Sequence, residues 1–246
     1  MNLEMKNQEI MNKEQRLNKY LSLCGVGSRR KCDEYISQGL ISVNGKVSRE
    51  MGMKVSNEDE VLYIGKKVVP QKIVYLVLNK PLEVVTTMSD PEERPTVAQY
   101  FHDLPFVKPV GRLDYNTSGV LLFTNDGEMH YRLTHPKFQV AKLYKAMIRG
   151  MVDENIFQKM KRGIRLDDGK IGHGKVKSIK KIGRNTEILL ELREGINREI
   201  RRMFESLNYR LISLERIEFV GIRSNGLNQG EWRYLSKEEI LLLKKY

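Results

Sequence analysis

The apolar residues of this chain come in short runs, such as Ile73–Leu78, Val120–Phe123 and Ile240–Leu243, each closed by polar or turn-forming residues. No run approaches the roughly 20 residues that a membrane-crossing helix needs. Helical and strand spacings follow one another without a βαβ rhythm and without an internal repeat, so an α+β fold is expected rather than a doubly wound sheet. With 40% hydrophobic residues over 246 positions, there is material for a real core. Only Cys24 and Cys32 are present, too few for a disulfide framework or a thiolate zinc cage, and a reducing, cytoplasmic setting is expected. The opening MNLEMKNQEIMNKEQ has no apolar stretch of the secretory kind. Residues 1–13 are expected to form a flexible N-terminus.

Residues 14–70 read as a small separate module. Leu17, Leu21 and Cys24 have helical spacing and Gly25 suits the helix end. Ser28 is a good N-cap for a second helix with Cys32, Tyr35 and Ile36 on its apolar side, closed by Gly39. Leu40–Val43, Asn44-Gly45 and Lys46–Ser48 predict a hairpin, and Val61–Ile64 a further strand. Arg29, Arg30 and Lys31 fill the first turn of the second helix, where cations oppose the helix dipole. Together with free backbone N–H groups they make a candidate phosphate clamp. The helix pair, Ser28-Arg29-Arg30 and Ile41-Ser42-Val43-Asn44-Gly45 resemble the S4-like RNA-binding domain.

Pro70, inside Lys66–Lys72, marks a boundary, and 71–246 is expected to be a larger domain. Its predicted strands are Ile73–Leu78 (broken at Asn79-Lys80-Pro81), Val84–Thr87, Val120–Thr124, Lys142–Ile148 and Glu187–Leu192. Its predicted helices are Asp153–Arg162, Ile196–Leu207 with Ile200, Met203, Phe204 and Leu207 inward, and one opened by the capping box Ser236–Glu239. A mixed, mainly antiparallel sheet is expected.

The formal charge is +12, and Glu128–Arg184, with 15 basic and 5 acidic residues, carries +10 of it. Such concentration suits a polyanion partner. A membrane surface is disfavoured because no basic amphipathic helix has an aromatic apolar face. Motifs for nucleotide or metal chemistry are missing. Gly25-Val26-Gly27 leads to Arg30 where a dinucleotide loop has glycine, and His102, His130, His135 and His173 lack ligand spacing. Ser118 has no G-x-S-x-G elbow around it. No metal and no cofactor are expected.

The segment Val110–Gly127 is the most informative. Asp114 lies in a polar loop just before an apolar strand, with Arg112 two residues earlier. Alone, such an Asp is most often a turn residue. The whole string from Gly111-Arg112-Leu113-Asp114 to Thr124-Asn125-Asp126-Gly127, however, resembles the G-R-L-D-x-x-T-x-G-L-L-L-x-T-N-D-G signature of RNA pseudouridine synthases. Asn79-Lys80-Pro81 with Val84–Thr87, Lys142-Leu143-Tyr144, and Glu194-Gly195-Ile196-Asn197-Arg198-Glu199-Ile200-Arg201-Arg202-Met203 resemble further elements of the bacterial branch that carries an S4-like domain and modifies ribosomal RNA. The fit is closest to large-subunit (23S) members. Glu83 stands where the first motif has glycine, and Ile196 where the family more often has a basic residue.

The resemblance implies that a uridine in ribosomal RNA, in a loop or single strand, is flipped out and isomerised to pseudouridine. Asp114 would be the carboxylate beside the anomeric carbon, acting either on C1′ or on the C2′ proton. Arg201, on a helical stripe with Arg198 and Arg202, would pair with Asp114. Tyr144 would stack on the uracil. Arg112 would fill the gap left by the extruded base. Lys80 and Lys142 would contact phosphate or form internal pairs, Arg198 and Arg202 would contact RNA, and Arg29, Arg30 and Lys31 would form the second clamp. The cations of 128–184 are expected to surround the catalytic cleft. A monomer is expected. The competing class is a non-catalytic RNA-binding or ribosome-assembly protein on the same fold.

Overall fold

In the computed structural model, which describes residues 14–246 apart from 57, 102, 103 and 105, local sequence signals set most element ends. The expected flexible segment 1–13 lies outside the described residues. The backbone separates into two units, Met1–Val74 with Asp103–Val107, and Tyr75–His102 with Lys108–Tyr246.

The first unit runs β1 (Gln15–Arg16), α1 (Leu17–Leu23), α2 (Arg29–Ser37), β2 (Ile41–Val43), β3 (Lys46–Ser48), β4 (Lys54–Val55), β5 (Val61–Tyr63) and β6 (Lys66–Lys67). Ser28 caps α2 by accepting a hydrogen bond from the Lys31 N–H at 3.2 Å. The β2–β3 turn has positive φ at both Asn44 (51°) and Gly45 (78°), as a tight hairpin requires. Strand order is β3-β2-β5-β6, and Leu17, Leu21, Cys32, Ile36 and Ile41 are buried between helices and sheet.

The second unit is built from β7 (Tyr75–Lys80), β8 (Lys108–Pro109), β9 (Ser118–Thr124), α3 (Gly127–Thr134), β10 (Lys142–Arg149), α4 (Ile156–Arg162), β11 (Ile164–Arg165), β12 (Ile171–Gly172), β13 (Lys175–Ile182), β14 (Asn185–Leu192), α5 (Glu199–Ser206), β15 (Leu211–Phe219), β16 (Trp232–Tyr234) and α6 (Lys237–Leu243). Its eight-stranded sheet has the order β13-β14-β10-β15-β9-β7-β16, with β8 on β9. Pairing is antiparallel except between β15 and β9, so the expected mixed, mainly antiparallel α+β architecture is the observed one. One core lies where α4 (Ile156, Met160) and α5 (Ile200, Met203, Phe204) cover Ala146, Ile148, Ile188 and Leu190 of β10 and β14.

The structure departs from the sequence reading at several places. Val84–Thr87 is not a strand; a single bridge joins Val85 to Thr96, and the Thr87 N–H turns back to the Val85 carbonyl instead of extending a ladder. β7 continues through Asn79 and Lys80 rather than breaking there. The helix expected from Asp153 starts at Ile156, since Asp153 accepts from the Asn155 N–H in a local turn. The helix expected from Ile196 starts at Glu199. β13 and β15 were not anticipated, and β15 joins the two halves of the sheet. At that junction Gly119 has φ +103°, and a Cβ there would lie 2.3 Å from the Arg216 carbonyl oxygen.

Candidate active site

A cavity of about 290 Å³ opens on the second unit beside the β9–β10–β15 centre of the sheet. Asp114, Tyr144, Arg201, Arg112, Lys142 and Arg198 all line it. Three segments far apart in sequence thus converge on one site.

Asp114 sits in the loop before β9, and that loop is pinned by its backbone. The Thr117 N–H donates to the Asp114 carbonyl at 3.0 Å, and the Glu83 N–H to the Tyr115 carbonyl at 2.9 Å. Thr86 Oγ1 donates to the Leu113 carbonyl at 2.7 Å and accepts from its N–H at 3.3 Å. Glu83 has φ 61°, the conformation that favours glycine, so the turn survives its replacement at some strain.

Arg201 projects from α5 onto the same loop. Its Nε lies 3.8 Å from Asp114 Oδ2, and Nη2 donates to the Asn116 carbonyl (2.6 Å) and to Thr117 Oγ1 (3.2 Å). Burial pushes the guanidinium pKa down, while the Asp114 charge opposes that shift. Tyr144 stands on β10 between Leu190 of β14 and Arg216 of β15, on the strand face that also carries Ala146 and Ile148. The neighbouring Lys142 donates to the carbonyls of Val140 (3.2 Å) and Glu194 (3.1 Å). Burial, reinforced by Arg216, pushes its pKa down to about 8. An internal brace therefore describes Lys142 better than a phosphate contact.

Of the two alternatives for Lys80 the internal one holds as well, and two further expectations change. Lys80 is 0% exposed and donates to the carbonyls of Pro81 (2.8 Å) and Thr117 (3.0 Å), so it braces the Asp114 loop from within instead of meeting RNA. Arg202 does not line the cavity; it pairs with Asp167 and Asp168 and ties α5 to their turn. Arg198 is not on the helical stripe but precedes α5 with φ 51°, exposed at the cavity rim. In the first unit Arg29, Arg30 and Lys31 are exposed at the start of α2, but Lys31 already pairs with Glu34 at 2.6 Å.

The basic segment contributes little to the cavity wall itself. Of the Lys and Arg residues in 128–184, Lys142 alone lines this cavity; the remaining cavity cations, Arg112, Arg193, Arg198, Arg201 and Arg216, lie outside that segment. Arg149 and Arg184 line a different cleft with Arg210. Strand alternation explains part of this, since Lys145 and Arg149 fall on the face of β10 opposite Lys142 and Tyr144.

Two buried ionisable groups escaped the sequence reading. Glu199 is 4% exposed, with its pKa pushed up to about 7 by burial and by Glu194. Arg216 is 2% exposed and carries Val120 on its Nε. The signal for Arg216 lay in the run Leu211–Phe219, where it replaces an apolar residue two places after Leu214.

Residues 74–206 match the model of the RNA pseudouridylate synthase family, and residues 15–61 that of the S4 domain. Over 233 residues the chain is 40% identical to ribosomal large subunit pseudouridine synthase B of Bacillus subtilis (strain 168), covering 94% of this chain and 96% of that protein. It is 38% identical over 235 residues to an uncharacterized RNA pseudouridine synthase of Aquifex aeolicus (strain VF5), covering 94% of each. Among solved structures, a crystal structure of a pseudouridylate synthase aligns with a TM-score of 0.66 at 28% identity, over 93% of this chain and 99% of that one.

Proposed function

Because this chain belongs to the RNA pseudouridylate synthase family and carries an S4 domain, we propose that it isomerises a uridine to pseudouridine in large-subunit ribosomal RNA. The observation that carries this reading is the convergence of Asp114, Arg201 and Tyr144 on one cavity, with Arg201 Nε 3.8 Å from the Asp114 carboxylate.

The target uridine, in a loop or single strand, is flipped into the cavity, at an unstacking cost of a few kcal/mol. Asp114 acts on the sugar beside the glycosidic bond, the N1–C1′ bond breaks, the uracil turns, and C5 bonds to C1′. Arg201 fixes the Asp114 loop through Asn116 and Thr117. Tyr144 stacks on the base. Arg112 and Arg198, both exposed at the rim, meet the surrounding RNA. The exposed Arg29 and Arg30 of the S4 domain hold phosphate at a second point. The chain works as a monomer in the cytoplasm; none of its described helices is long and apolar enough to cross a membrane.

The test is tritium release from deproteinised, 5-tritiated large-subunit rRNA prepared from a deletion strain. The isomerase reading predicts release, together with a pseudouridine that mapping finds only when the protein is present. Tight RNA binding without release would favour a ribosome-assembly role and overturn it.

A further inference from the structure

Beneath Asp114 and Tyr144 lies a charged group with no part in the scheme above. Arg216 leaves β15 opposite Tyr144 of β10 and beside Gly119 of β9, and it lines the same cavity. It is 2% exposed. Its Nε donates to the Val120 carbonyl at 2.7 Å and its Cζ lies 4.9 Å from the Phe219 ring centroid. Nη2 is buried without a hydrogen-bond partner. A buried guanidinium donor left unpaired is costly, and because the same residue lines the cavity, an acceptor atom on a bound ligand would satisfy it.

The setting selects the kind of acceptor. Arg112 and Arg198 are exposed, within reach of the phosphates of an RNA strand at the rim, whereas Arg216 is deep. A flipped base reaches deep sites, and uracil offers two carbonyl oxygens there. Burial first, and then the Arg216 charge, push the ammonium pKa values of Lys80 and Lys142 down, opposed by Asp114 at Lys80 and by Glu199 at Lys142. Lys142 and Arg201 line the same cavity as Arg216, together with the acids Asp114, Glu194 and Glu199, so positive charge stands beside the place a base would occupy.

We propose that Arg216 binds the flipped uracil by donating to one of its carbonyl oxygens, and stabilises the charge that gathers there when the glycosidic bond breaks. This rests on the isomerase reading. As the N1–C1′ bond breaks, its electron pair leaves with the base and spreads over N1, O2 and O4. After the base turns, a pair from C5 forms the C5–C1′ bond, C5 loses its proton and N1 gains one. Nothing is oxidised or reduced. If that oxygen is O4, the same donor also rejects cytosine, whose exocyclic amine is itself a donor.

The experiment uses RNA stem-loops carrying the mapped target as uridine, 2-thiouridine or 4-thiouridine, in single turnover with wild type, Arg216→Lys and Arg216→Gln. With uridine, Arg216→Gln is expected to react about 10²-fold more slowly while RNA affinity holds. One of the two sulfur replacements should slow wild type about tenfold, by the loss of one good hydrogen bond, and slow the glutamine variant far less. Which sulfur does so identifies the oxygen. If the glutamine variant does not fold by circular dichroism, Arg216→Lys, which keeps the charge and one donor for Val120, carries the comparison. Equal sulfur effects in wild type and variant would overturn the proposal, because a purely structural arginine changes stability and not the response to sulfur. Failure of wild type to make any pseudouridine in large-subunit rRNA would overturn the isomerase reading, and this proposal with it.

Discussion

Arg201 Nε faces Asp114 Oδ2 at 3.8 Å without forming a hydrogen bond, and that Nε has no hydrogen-bond partner at all. The short bonds of the same guanidinium go instead to Asn116 and Thr117. The arginine therefore fixes the loop and supplies positive charge, while it donates no hydrogen bond to the Asp114 carboxylate.

Arg201→Lys keeps the charge but loses the planar fork that grips two loop atoms. We expect the single-turnover rate to fall by about 10²-fold, as for loss of an electrostatic positioning group. RNA affinity by filter binding should change less than threefold.

Tyr144→Phe keeps the ring and Tyr144→Leu removes it. Stacking on a base is worth about 1–3 kcal/mol. The leucine variant should lose both rate and affinity for a stem-loop substrate. The phenylalanine variant should keep affinity and lose rate only if the hydroxyl takes the C5 proton, which single-turnover kinetics beside binding will read.

Glu199 gives a pH signature. Its pKa rises from the ordinary 4.5 to about 7, so between those values the native state holds a proton that the unfolded chain has released. Stability from this group is present below pH 4.5 and is lost as pH climbs towards 7. Glu199→Gln removes that loss. Its melting temperature relative to wild type should rise by roughly 5 °C between pH 5 and pH 8. A difference that stays flat across this range would count against the burial argument.

Gly119→Ala is expected to be severe. The residue has φ +103°, and an added Cβ would press on the Arg216 backbone, so the parallel β9–β15 junction must part. A loss of about 3–5 kcal/mol is expected, readable as a fall in the denaturant midpoint.

Much of this was legible in the sequence because local rules dominate the elements concerned. Ser28, Asn44-Gly45 and the Ser236 capping box act within a few residues, and each forms as its spacing predicts. The Asp114 loop was legible through a long motif resemblance. What stayed hidden depends on contacts remote in sequence. Lys80 looks like a surface cation until the Thr117 carbonyl is placed against it. Arg202 looks free until Asp167 and Asp168 arrive from another turn. The net charge of 128–184 says nothing about which strand face each lysine takes, and of its cations Lys142 alone lines the cavity. β15 was missed because Glu215, Arg216 and Glu218 mask its strand pattern, although it bridges the sheet.

The central claim is that the Asp114 carboxylate performs the chemistry. Asp114→Asn preserves size and leaves Arg201 bonded to Asn116 and Thr117. In a tritium-release assay on deproteinised large-subunit rRNA, run beside filter binding, the account predicts no release above background with RNA affinity nearly that of wild type. Pseudouridine formation by the asparagine variant at a rate near wild type would contradict it.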